Sequence, residues 1–139
     1  MKERTIQSLL KKHKLRRTPA RSKILELYLD RNHALSHKEI EDVLSDSHDR
    51  VTIYRTLSTF EEKGIIHRVF DNNPSIRYAL CGTECNHDHH HDNHIHFNCI
   101  SCNKTYCLEH VQLPHIQIPS SFKTNKIHFF AEGICEACR

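Results

Sequence analysis

Apolar positions in the first 64 residues recur at three- and four-residue spacing, the pattern of helices with one buried face. Ile6, Leu9, Leu10 and His13 outline a short first helix that ends near the basic run 14–17. Thr18-Pro19 reads as an N-cap and a first-turn proline, whose missing N–H and fixed φ suit that position. The helix it opens carries the stripe Ile24, Leu25, Tyr28 and Leu29. Ser36 with Glu39 three residues on forms a capping box and opens a third helix through Ile40, Val43 and Leu44. Asp49 caps a fourth, with Ile53, Leu57 and Phe60 facing inward and Gly64 closing it at C′.

Beyond Gly64 the pattern becomes that of strands: Ile65 to Phe70, a turn over 71–75, then Ile76 to Leu80. Helices followed by a two-stranded ribbon predict a winged helix-turn-helix; a small helical domain with a hairpin is the plainer alternative. The stretch from Cys81 to Asn93 is polar and without period, hence a loop. Strands are expected at His94–Ile100, Thr105–Leu108 and Lys126–Ala131, while Pro114 and Pro119 disfavour a long helix between them. The fold class expected is α+β, an N-terminal winged helix over 1–80 and a C-terminal α/β domain over 81–139.

Composition sharpens that division. Residues 1–80 hold 16 Lys and Arg against 11 Asp and Glu and no cysteine, whereas 81–139 hold 4 against 6, all seven cysteines and nine of the fourteen histidines. Between Lys2 and Lys23 lie nine basic residues opposed only by Glu3, a block that suits a polyanion or forms a solvated helix face. No leader-like or membrane-length apolar run is visible, so the expected location is cytoplasmic, with no membrane partner. In a reducing compartment seven cysteines, an odd number, point to metal rather than disulfides.

Cys99-x-x-Cys102 and Cys135-x-x-Cys138 carry the most specific chemistry. Each pair can present two thiolates to one tetrahedral zinc at ~2.3 Å, and four sulfur ligands leave no position open for catalysis. A 59-residue segment buries little apolar surface by itself, and a structural zinc supplies ~10–16 kcal/mol of apparent binding energy to folding. The competing reading is two redox-active pairs. Outside this set, His94-x-His96 on a strand puts both imidazoles on one face, where Cys81 or a further histidine completes four-coordination of a divalent metal. A solvated polar loop is the alternative for the His-rich stretch around Cys85, His89 and His91.

Taken together, these segments resemble the ferric uptake regulator (Fur) family of metal-responsive repressors. The resemblance runs through Arg17-Thr18-Pro19-Ala20-Arg21, Leu35-Ser36-His37-Lys38-Glu39-Ile40 and Val51-Thr52-Ile53-Tyr54-Arg55-Thr56-Leu57. It continues in Phe60-Glu61-Glu62-Lys63-Gly64-Ile65-Ile66-His67, His94-x-His96-x-x-Cys99-x-x-Cys102 and Gly133-x-Cys135-x-x-Cys138. It implies that the second half dimerises and that the helix around Thr52 to Phe60 reads DNA, with Thr52, Tyr54 and Arg55 near the duplex. Lys14, Arg17 and Arg21 would contact phosphates, which position rather than specify; a role in the core is the alternative for Tyr54. A dimer of this kind reads two half-sites of a palindromic operator.

The resemblance also implies a sensor metal. In the zinc-sensing (Zur) branch the ligands typically combine a residue just after the recognition helix, a Cys in a Tyr-x-x-Cys context and the His-x-His pair. His67, Cys81, His94 and His96 stand in those places, and a thiolate favours zinc over Fe²⁺ or Mn²⁺. The chain departs from the family at several points. Asn93-His94-Ile95-His96 lacks two ligands of an additional site. Cys107 stands where iron-type members have a carboxylate, and Ala34 where they have a metal-binding His, with His33 adjacent. A Pro-containing stretch after His110 replaces a helix. His33, Cys85, His89, His91 and Cys107 are therefore further candidate ligands. The expected function is a metal-dependent repressor of metal-uptake genes, zinc-sensing in the first place, with an iron-, manganese- or peroxide-responsive repressor as the alternative. A zinc-storage or trafficking protein is the alternative from another class. No enzyme is expected: His94-x-His96 lacks the acid–base Glu of zinc deaminases, neither Cys-x-x-Cys follows a proline, and no small-molecule substrate is implied.

Overall fold

The computed structural model describes residues 2–69, 74–80, 95–108, 111–125 and 127–139. Four helices lead the chain: α1 (Lys2–Lys12), α2 (Pro19–Arg31), α3 (His37–Leu44) and α4 (Arg50–Lys63). The local signals act where the sequence places them. Thr18 accepts from the N–H of Arg21 with Pro19 in the first turn; Ser36 and Glu39 close both arms of the capping box; Asp49 accepts from the N–H of Thr52 at 2.7 Å. Gly64 ends α4 at φ 81°, a left-handed conformation that costs glycine no Cβ clash. The N–H of Ile65 then reaches Phe60 O at 2.8 Å, and that of Gly64 reaches Glu61 O at 3.1 Å.

One apolar core unites these helices. Ile6 and Leu10, Ile24, Leu25 and Tyr28, Ile40 and Leu44, and Ile53, Leu57 and Phe60 are all buried in it. Val43, expected on the inner stripe of α3, instead faces solvent: the eight-residue helix turns only Ile40 and Leu44 inward. Tyr54 is 62% exposed, which removes a role in the core.

Two three-stranded sheets follow. In the first, β1 (Leu35–Ser36), β3 (Arg77–Leu80) and β2 (Ile66–Arg68) lie in that order, all antiparallel. This is the wing, and β1 was not foreseen, because Ser36 both caps α3 and pairs with Arg77. In the second, β4 (Ile95–Cys99) lies between antiparallel β5 (Thr105–Leu108) and parallel β6 (Phe129–Gly133). The described residues between β5 and β6 form neither helix nor strand, in keeping with Pro114 and Pro119.

The two halves differ in what they bury. Among the described residues from 95 onward, the buried positions are His96, Asn98, Cys99, Thr105 and Cys135, with no hydrocarbon side chain among them. A sheet of this kind lacks the apolar burial that stabilises α1–α4. Its strand ladders, the bonds it makes to the wing and thiol ligation carry more of the load here than in α1–α4.

Candidate functional site

The first cluster is sulfur. The end of β4 and the turn after it carry Cys99 and Cys102, and parallel pairing of β6 with β4 brings the segment carrying Cys135 and Cys138 back beside them. The four Sγ atoms all lie within 4.8 Å of one another, and those of Cys102 and Cys135 are 3.8 Å apart. Tetrahedral zinc with ~2.3 Å bonds sets neighbouring sulfurs ~3.8 Å apart, so the spacing matches. Backbone N–H groups of Cys102 and Cys135 point at Cys99 Sγ from 3.5 and 3.4 Å. Those two donors favour the thiolate and pull the Cys99 thiol down to about 6. Cys138 is pushed up to about 12, first by its hydrogen bond with Cys135. Four thiolates this close repel one another, and a bound dication would offset that repulsion. The cluster fits a structural zinc site with no open position, and its geometry carries none of the separation expected of two independent redox pairs.

The second cluster lies where the wing meets the second sheet. Register places His96 of β4 directly across from Cys107 of β5, and His67 arrives from β2 of the wing. The His67 and His96 rings are stacked at 5.5 Å between centroids, and Cys107 Sγ is 3.3 Å from His67 Nε2. A tetrahedral zinc with ~2.3 Å to sulfur and ~2.05 Å to nitrogen holds such a pair ~3.6 Å apart. His67 and His96 are buried and Cys107 is half-buried, so the three donors converge on a partly dry junction.

Of the expected sensor set, His67 and His96 are thus together, while Cys81 and His94 lie outside the described residues, as do Cys85, His89 and His91. Cys107, only a supplementary candidate from the sequence, stands in the cluster. The polar alternation His96, Asn98 on one strand and Thr105, Cys107 on the other was the signal that could have placed it. His33 joins neither cluster. Its Nδ1 is 3.0 Å from Ala34 O, its ring meets the edge of Tyr106 at 6.2 Å, and burial lowers its pKa.

The outer face of α4 exposes Val51, Tyr54 and Arg55, with Thr52 half-buried beside them. Tyr54 packs edge-on against His37 of α3 at 5.8 Å, and Glu41 bridges the helices to Arg50 at 3.2 Å. A groove of about 720 Å³ runs between α3, α4 and the wing. Lys14 is exposed at φ 57°, just past α1. Arg17 is paired with Glu3 and reaches Ser22, and Arg21 donates to Arg16 O, so these two guanidinium groups are held in place beside the N-terminus of α2.

The sequence profile described as the Ferric uptake regulator family matches residues 12–134. A search of curated proteins finds no match. Among solved structures, a zinc uptake regulator complexed with zinc and DNA is 22% identical, covering 99% of this chain and 95% of its own, with a TM-score of 0.67. The ferric uptake regulator of Francisella tularensis with iron is 22% identical over 89% of this chain and 94% of its own, at 0.56. That of Pseudomonas aeruginosa with manganese is 16% identical over 94% and 97%, at 0.58. At these identities the likeness is one of fold.

Proposed function

The chain belongs to the ferric uptake regulator family, and from that premise we propose that it is a zinc-responsive repressor whose sensor ion bridges the wing and the second sheet. Members of the family are metal-responsive transcriptional regulators rather than enzymes, and among the described residues no helix is long and apolar enough to cross a membrane. The single observation that carries the reading is the meeting of His67, His96 and Cys107 across the junction. Zinc suits this mixed imidazole and thiolate set, whereas carboxylate-rich sites suit manganese and magnesium. Cys81, one residue beyond β3, is the proposed fourth ligand, and His94 the alternative to it.

The protein works in the cytoplasm as a homodimer on a palindromic duplex. Residues 1–80 bind DNA and 81–139 dimerise, with the boundary between Leu80 and Cys81. Ile100, Phe122 and Ile134, exposed by 65, 68 and 46%, supply apolar surface for the second copy. Zinc on the four cysteines fixes the second sheet. Tyr54, Arg55 and Thr52 face the bases, and Lys14, Arg17 and Arg21 the phosphates.

An ion shared by His67 on one side and His96 and Cys107 on the other binds only when wing and sheet are docked. Its binding energy therefore selects the docked arrangement, with a coupling of about 1–3 kcal/mol to the duplex. Metal analysis tests this directly: two zinc ions per protomer are expected in the purified dimer, and one in His96→Ala. Two ions in His96→Ala, or preferential retention of iron or manganese by the wild type in competition with zinc, contradicts the assignment.

A further inference from the structure

Arg77 sits on β3 with 4% of its surface exposed, deep for a guanidinium. Its Nη1 donates to Asn103 O and its Nη2 to Thr105 Oγ1, both at 2.7 Å. These acceptors belong to the second half of the chain, so one wing side chain crosses the junction at a point separate from the sensor cluster. Thr105 is itself wholly buried: its Oγ1 also accepts from Asn98 Nδ2 at 3.0 Å, and its carbonyl accepts the N–H of Ala34 at 2.8 Å.

What Arg77 grips is the turn that holds two of the four thiols. Asn103 is left-handed at φ 60° and donates its N–H to Cys99 O at 2.8 Å, while the N–H of Cys99 reaches Lys104 O at 2.9 Å. Asn103 O thus faces Arg77 only while the turn bearing Cys99 and Cys102 is closed. On the wing side, Arg77 pairs in register with Ser36, whose hydroxyl caps α3. Arg77 therefore joins the two sides, its guanidinium holding the sulfur-bearing turn and its backbone pairing with the residue that caps α3.

We propose that Arg77 is a positioning residue for DNA binding, a latch through which the metal-loaded cysteine turn, by way of Asn103 and Thr105, fixes the winged helix against the second sheet. A buried cation holds one arrangement well and others badly, because leaving its N–H groups without acceptors away from water is costly. The tetrathiolate zinc then does more than fold its own half: it keeps the latch's acceptor in place. The inference rests on the DNA-binding role but not on the identity of the sensor metal.

The test uses full-length dimer, Arg77→Met, Thr105→Val and the double variant, on a duplex selected from a random pool by the wild type. Each single variant is expected to keep its tetrathiolate zinc and helical circular dichroism and to lose about tenfold in DNA affinity. The double variant is expected to lose less than the sum of the two single losses, because the bond from Arg77 to Thr105 is shared, and at least as much as Arg77→Met, which also gives up Asn103 O. Amide exchange at Ala34, bonded across the junction, is expected to quicken while that of Ile53 in α4 stays unchanged; plain destabilisation would speed both. Wild-type DNA affinity in either single variant, additive losses, or equal quickening at Ile53 overturns the latch. Should Arg77→Met fail to fold, Thr105→Val decides by the same affinity and Ala34 readouts. Failure of the wild type to select any duplex contradicts the proposed function instead.

Discussion

The sulfur of Cys107 stands 3.3 Å from Nε2 of His67, across the line where the wing meets the second sheet. Forty positions of chain separate the two; β-register sets Cys107 opposite His96, and the meeting of the two sheets brings it to His67. A soft ligand stands here where iron-type members of the family have a carboxylate, and it is this thiolate that supports the proposed preference for zinc.

Cys107→Asp is therefore expected to lower zinc affinity at the junction by about tenfold or more while changing manganese affinity much less, since oxygen ligands suit the harder ion. Competitive titration of the two metals, with the four-cysteine site already filled, reads the ratio. An unchanged ratio removes Cys107 from the ligand set.

Cys99→Ser is expected to lose the structural ion and the dimer, because the described second half buries no hydrocarbon side chain of its own. The helices should survive, as α1–α4 share a separate apolar core. Sedimentation should show a monomer whose far-ultraviolet helical signal is close to wild type. A zinc-loaded Cys99→Ser dimer contradicts the structural role.

Tyr54→Ala removes a side chain that is 62% exposed, so little stability is at stake. Its cost, about 1–3 kcal/mol, is expected in DNA affinity and confined to particular base positions. Lys14→Ala, by contrast, should weaken binding to all duplexes alike and reduce the salt dependence. Fluorescence anisotropy at several salt concentrations separates the two behaviours.

Ser36→Ala deletes the hydroxyl of the capping box on α3 and is expected to cost about 1 kcal/mol in urea unfolding. The neighbouring Val43→Ala should cost far less, because Val43 faces solvent.

The caps of α2, α3 and α4 were legible because each is a contact between residues three apart, written directly in Thr18, Ser36 and Asp49. So were the paired cysteines, whose spacing is itself the geometry of a metal turn. β1 was not, since two residues carry no period and Ser36 advertises only its cap. Val43 misled because an apolar stripe on so short a helix is wider than the face it buries. The partnership of Cys107 with His67 and the latch at Arg77 both depend on how two sheets meet, which neither periodicity nor spacing encodes.

On the proposed mechanism, one ion couples the wing to the second sheet and thereby to the duplex. Zinc affinity of the junction site, measured with and without a bound duplex, tests it most directly, because linkage requires DNA to tighten zinc by the same factor by which zinc tightens DNA. Equal factors of about 5- to 150-fold are expected in wild type, falling to one in His96→Ala. Zinc affinity indifferent to a duplex that the wild-type protein binds tightly would contradict it.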